Sequence, residues 1–243
     1  MRDNVFGTAA VMEFSRRRVL GALAVGGASL AFPRSGLQDA YAQELPPPAG
    51  AIPGFSEMGG VRPLSLSETA TGQARLTSVL LPQARAALDR HGYAIGNRQR
   101  IGLVDFSAPS KSARFYLIDL PSGEVVSSHL VAHGRGSDPA NSGWVERLSN
   151  RPGSNASCEG AFLTGQTYYG EHGRSRRLMG LDPENDQAEA RGIVIHAADY
   201  VSPAMAANQG RVGRSQGCFA VSRGEIGSVL EMLGEGSLLY AVK

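Results

Sequence analysis

This chain of 243 residues holds two cysteines, two lysines and one tryptophan. So few thiols exclude a disulfide-rich scaffold and any zinc or iron–sulfur site built on several cysteines. Beyond the N-terminal region, no stretch is long and apolar enough to cross a bilayer. An excess of one charge is missing too. Residues 1–42 carry five arginines against three acids, and the remainder has 19 of each sign. The basic balance belongs to the first 42 residues, so the rest offers no electrostatic case for nucleic acid. What is plentiful is glycine, 31 residues, together with 13 prolines. That load favours strands and turns over a helical bundle. A hydrophobic share of 42% supplies one sizeable core.

The N-terminus reads as an address. Ser15-Arg16-Arg17-Arg18-Val19-Leu20 leads into the uncharged run Gly21 to Phe32, and Ala40-Tyr41-Ala42 follows before Gln43. A charged start, a short apolar stretch and a small-x-small site make a cleavable signal peptide over 1–42. Paired arginines before a Gly/Ala-diluted run look like the twin-arginine type, and predict export to the periplasm or cell envelope. The apolar run is shorter than the ~20 residues that span a membrane.

Residues 43–63 are punctuated by Pro and Gly and read as a linker. Residues 64–99 form a small helical segment, with Leu76, Val79 and Leu80 on one face, Pro82 opening a helix and Gly92 ending it. From residue 100 to 243 the period changes to that of strands. Ile101–Phe106, Arg114–Leu120, Glu124–His133, Ala161–Thr164, Gly192–His196 and Ser237–Val242 are the candidates, the second and third joined as a hairpin through Pro121-Ser122-Gly123. Ile226, Val229, Leu230 and Leu233 have helical spacing. The expectation is a mainly β domain with one or two short helices. Arg174-Ser175-Arg176-Arg177 and the acids Asp182, Glu184, Asp186 and Glu189 read as solvated loops.

Chemistry concentrates in Gly213-Arg214-Ser215-Gln216-Gly217-Cys218. Glycine before cysteine permits a tight turn and frees backbone N–H groups near the sulfur, which suits an oxyanion. Arg214 places positive charge nearby. A thiol of ordinary pKa is only a few per cent thiolate at neutral pH, so it needs a base. His196 ends the apolar run Ile193-Val194-Ile195 and supplies one, making a Cys/His dyad. Taken alone, Cys218 fits a buried structural cysteine better, since that is the commonest fate of a free cysteine.

His196 with Ser215-Gln216-Gly217-Cys218 resembles the His…Ser-x-Gly-Cys signature of the murein L,D-transpeptidases, cysteine enzymes that cross-link peptidoglycan. Gly102–Ser107, Val131–Ser137, Ser149–Ser154, Thr164–Gly173 and Ala198–Val201 are similar to the same family, so the likeness covers residues 100–242. The resemblance implies a β-sandwich catalytic domain that needs no cofactor and no metal. It implies that Cys218 attacks the L,D-bond of a peptidoglycan stem tetrapeptide, with His196 as base. Ala197 would orient the imidazole through its carbonyl, and the N–H groups of Gly217 and Cys218 would hold the oxyanion. Arg214 is the candidate for a substrate carboxylate, and Ser215, His133, Tyr169 and His172 are assigned to substrate binding. Departures from the family pattern are Gln216, where many members have a histidine, and Cys158, where serine or leucine is commoner. Three rivals stand beside this reading. They are an L,D-carboxypeptidase using water as acceptor, a non-catalytic wall-binding module, and a zinc peptidase built on His133, His172 and His196.

Overall fold

The computed structural model describes residues 72–243. The signal-like segment, the linker and the start of the helical segment lie outside them.

Eight strands form one sheet, ordered β3-β2-β1-β8-β4-β5-β6-β7. They are β1 (Asn97–Asp105), β2 (Phe115–Asp119), β3 (Val125–His129), β4 (Gly160–Gly170), β5 (Gly173–Gly180), β6 (Val194–Ala197), β7 (Phe219–Val221) and β8 (Ser237–Val242). Helix α1 (Leu81–Arg90) precedes the sheet, and α2 (Pro203–Gln209) and α3 (Ile226–Met232) interrupt it. Among the described residues no helix is long and apolar enough to cross a membrane.

Side-chain alternation assigns the two faces. Ile101 and Leu103 of β1, Ile118 of β2 and Leu238 of β8 point to one side, where α1 covers them with Ala84, Ala87 and Leu88. Val104, Phe115, Leu117, Leu239 and Phe162 point to the other, where α3 adds Val229 and Leu230. β1 ends in a fully buried run, Ile101 to Asp105, because both its faces are covered.

The sheet curls until its two edges meet. Phe219 of β7 stacks on Phe106, just past the end of β1, with ring centroids 5.8 Å apart, although four strands lie between β1 and β7 in the sheet. The chain leaving β3 then runs beside β7: the Ala132 N–H donates to Ala220 O at 2.9 Å, and Ser215 N–H to His133 O at 2.9 Å. The expected sandwich is therefore one folded sheet with a hydrogen-bonded seam.

Four local expectations are corrected. Val79 is exposed, because Leu76–Leu80 is a π-helical turn that rotates it away from the face of Leu76 and Leu80. The β3 strand stops at His129, so His133 lies beyond it. Arg174–Arg177 is part of β5, and Arg176 is buried, donating to Gly165 O at 2.6 Å and Leu230 O at 2.8 Å. Asp182 accepts from the Ala161 N–H at 2.7 Å and pairs with the buried ring of His91, so it anchors α1 to β4 instead of facing solvent.

Candidate active site

The turn that carries Cys218 is held from several sides. Ser215 Oγ donates to Cys218 O at 2.7 Å and accepts from the Gly217 N–H at 3.1 Å. Ser157 Oγ accepts from the Gly134 N–H and donates to Gly217 O, both at 3.0 Å. Gly217 has φ +124°, a conformation open to glycine. A side chain there would also strike Ala156 O, 2.8 Å from the Cβ position.

Cys218 immediately precedes β7, which lies parallel to β6 with His196 opposite Ala220. Cys218 and Ala220 are two residues apart, so Cys218 leaves the sheet on the same face as His196. Ordinary strand spacing and rise put their Cα atoms about 8 Å apart. This face is turned away from the main core, whose neighbours in sequence, Ile195 and Phe219, point inward. Cys218 is partly exposed, whereas the His196 ring is 2% exposed.

The imidazole has one defined tautomer. His196 Nδ1 lies 2.9 Å from Ala197 O. A carbonyl only accepts, so Nδ1 carries the proton and Nε2 is the basic nitrogen. Nε2 makes no protein hydrogen bond among the described residues. Burial, assisted by the charge of His172 and opposed by the Ala197 carbonyl, holds the ring's pKa below its ordinary value. Burial also raises the Cys218 thiol, against the pull of the Val194 backbone and the charge of Arg191. The resting pair is a neutral thiol and a neutral imidazole.

Arg191, which the sequence reading passed over, lies under the turn. It donates to Ser149 O at 2.7 Å and Ser154 Oγ at 3.3 Å, and closely to Ala156 O. Its guanidinium comes within 3.3 Å of where a Gly217 Cβ would sit. The one signal for it in the sequence is an arginine two residues before an apolar strand.

Other expected site residues divide. His172 stacks on His196 with centroids 4.2 Å apart and planes at 23°. Tyr169, on the same β4–β5 hairpin, is 84% exposed. Arg214 is half-buried and bonds closely to Asp138 O. Ser215 is buried and spends its hydroxyl on the turn, so it does not face substrate. The Gly217 N–H, expected to hold an oxyanion, is likewise committed to Ser215 Oγ.

His133 is a further correction, because it is fully buried. Its Nδ1 accepts from Arg114 Nη2 at 2.7 Å, and its Nε2–H faces Asp138 Oδ2 at 3.3 Å. It ties the chain after β3 to Arg114 and Asp138 and is closed off from solvent. That commitment also removes it from the three-histidine set of the zinc rival. Among the described residues no group of three or more metal-ligating side chains forms. Cys158 is a free, buried thiol, pushed up to about 11 by burial.

A thiol and an imidazole on one face of a curled sheet are the pair of groups that cysteine acyl transfer requires. The family model for the L,D-transpeptidase catalytic domain matches residues 74–242. The chain belongs to that family. Its matched region takes in helix α1 as well as the sheet.

Solved structures similar to it include an L,D-transpeptidase from Mycobacterium smegmatis, 12% identical over 60% of this chain and 59% of that one, TM-score 0.37. L,D-transpeptidase 1 from Mycobacterium tuberculosis is 14% identical over 59% and 62%, TM-score 0.35. The helical cell shape determining protein Pgp2 from Campylobacter jejuni is 13% identical over 67% and 55%, TM-score 0.38. The matches thus span less than two thirds of each of those chains. A comparison with curated proteins finds no match.

Proposed function

We propose that this protein is an exported peptidoglycan L,D-transpeptidase with Cys218 as nucleophile and His196 as general base. The observation that carries this reading is the fixed tautomer of His196, with basic Nε2 on the face that Cys218 shares. The Cys218 sulfur attacks the carbonyl carbon of the L,D-bond in a stem tetrapeptide while Nε2 takes the thiol proton. The Cys218 N–H donates to the developing oxyanion. The C–N bond then breaks, and the terminal D-alanine leaves with the proton that Nε2 returns. An amine from a second stem attacks the thioester, its proton passes to Nε2, and the thiol is restored.

The energetics favour a proton transfer coupled to attack. Ordinary thiol and imidazole pKa values differ by about 2 units, which puts a thiolate–imidazolium pair roughly 3 kcal/mol above the neutral one. Burial raises the first and lowers the second, widening that gap. A standing ion pair is disfavoured, so the proton moves as the S–C bond forms. Arg191 stabilises negative charge on the sulfur during that step.

The test is incubation with purified disaccharide-tetrapeptide followed by mass spectrometry. Cross-linked dimers with loss of alanine are expected, and no product from Cys218→Ala. Tripeptide without dimers would assign the same dyad to L,D-carboxypeptidase action. An unmodified substrate, with Cys218 unreactive toward a carbapenem, would leave a wall-binding role instead. Replacement of Arg16 and Arg17 by lysine is expected to stop export, which tests the twin-arginine leader.

A further inference from the structure

His172 belongs to the two-residue turn, Glu171 and His172, that joins β4 to β5. Gly170 and Gly173 pair across this turn, and Gly173 takes φ +76°, the left-handed conformation that closes it. The turn is exposed. An exposed turn residue has no packing reason to keep one rotamer, yet the His172 ring lies nearly flat on the buried ring of His196. His196 gains from such a contact. Its strand fixes the Cα, and the bond from Nδ1 to Ala197 O fixes one edge of the ring. A single hydrogen bond leaves the ring free to rock about that contact. A second ring against its face removes the freedom and shields the face from water.

We propose that His172 is a positioning residue for His196, clamping the imidazole plane so that Nε2 stays turned toward the face of the sheet that Cys218 shares. The inference rests on the acyl-transfer reading. Positioning of this kind acts on kcat, since small misplacements of reacting groups carry large rate penalties.

The contact also bears on protonation. Charged and titratable groups on the elements around His196 are Glu171 and His172 on the turn, Arg174, Arg176 and Arg177 on β5, Arg191 before β6, Asp199 and Tyr200 after β6, and Arg214 and Cys218 before β7. Arg176 is turned to backbone carbonyls, Arg177 stacks over Tyr168, and Asp199 is paired with Arg223. His172 is the one in ring contact. Burial is the chief cause of the low His196 pKa, and the His172 charge adds to it. Removing the ring returns solvent and removes that charge, and both changes raise the His196 pKa.

Two variants isolate the ring face. His172→Ala removes it, and His172→Phe keeps a flat ring without a titrating nitrogen. With the disaccharide-tetrapeptide as substrate, His172→Ala is expected to lose roughly 10- to 100-fold in kcat with KM little changed. Its acid limb of kcat/KM should move to higher pH. His172→Phe should hold kcat within about threefold, since an aromatic ring still stacks there. In parallel, 15N NMR of histidine-labelled protein follows the His196 ring. It should show one tautomer in the native protein and in His172→Phe, and a higher titration point in His172→Ala. Thermal melts of both variants should match the native protein, because the turn is exposed. An unchanged kcat and His196 titration in His172→Ala overturns the proposal. So does a His172→Phe enzyme as slow as His172→Ala, which would assign the role to a proton and not to a ring face. If the native enzyme itself fails to turn over the tetrapeptide, the acyl-transfer reading falls, and the NMR comparison still decides the role of His172.

Discussion

Acidification should weaken this fold through His133, by an amount that can be worked out. The ring is fully buried, between the guanidinium of Arg114 and the carboxylate of Asp138. Burial, and then the Arg114 charge, lower its pKa to about 4 from an ordinary 6.5. Arg114 holds its proton throughout, because guanidinium does not titrate in this range. Burial pushes Asp138 up, but the N–H groups of Ser142 and Gly143 and the Ser142 hydroxyl outweigh it and keep the carboxyl below its ordinary value. Asp138 therefore stays charged while His133 is tested. In the unfolded chain His133 binds a proton near pH 6.5, and in the folded chain only near pH 4. Between those values the unfolded state holds more protons, so stability falls as pH falls. The gap of about 2.5 units corresponds to roughly 3 kcal/mol, a large share of the 5–15 kcal/mol typical of a domain. Urea unfolding at about pH 7, 5.5 and 4.5 measures it. His133→Gln is the control: its Oε1 can accept from Arg114 and its Nε2 can donate to Asp138, with nothing to titrate. The variant should start less stable, and its stability should fall by roughly 2.5 kcal/mol less between about pH 7 and pH 4.5. An equally steep fall in both proteins refutes the assignment.

Four further outcomes are expected. Cys218→Ala should lose all measurable turnover while its thermal midpoint moves little, because a small apolar group replaces a thiol on a half-open face; product formation by mass spectrometry checks it. The acid limb of kcat/KM should lie below about pH 6.5, since burial keeps the His196 ring neutral to lower pH than usual; a limb at neutral pH would count against His196 as base. Arg191→Ala should move the pH midpoint of Cys218 alkylation upward, as the cation that offsets thiol burial is lost, while Arg191→Lys should move it less. Gly134→Ala should cost roughly 1–3 kcal/mol by overpacking. Its Cβ would meet Asn155 O and would lie 2.8 Å from Gly217 Cα, so turnover should suffer more than the urea midpoint.

Much of this architecture was legible from local pattern. Strands β1, β2, β3, β6 and β8 and helix α3 follow from runs of apolar or β-branched residues that end at Gly, Pro or Ser. β5 was not legible. Arg174, Arg176 and Arg177 hide its alternation, and only the carbonyls of Gly165 and Leu230, distant in sequence, explain why Arg176 turns inward. β7 is three residues long, too short to show a period. At the site, the contact of the His196 ring with the Ala197 carbonyl was expected from the family resemblance, and it links neighbours one residue apart. The place of His133 was not legible: a histidine beside glycine looks the same whether it lines a groove or sits next to Arg114, 19 residues earlier in the chain. Ser215 misled for a similar reason, since its hydroxyl bonds within its own turn.

The seam between the chain after β3 and β7 has a consequence for how the enzyme would fail. The sulfur stands where two distant stretches are zipped together by a few bonds, those of Ala132, His133, Arg135 and Ser157. Opening the zip leaves the hydrophobic cluster under α1 in place and still scatters the reacting atoms. Loss of catalysis is thus set to run ahead of loss of structure under mild denaturing stress, and a preparation that looks intact by circular dichroism can already be silent.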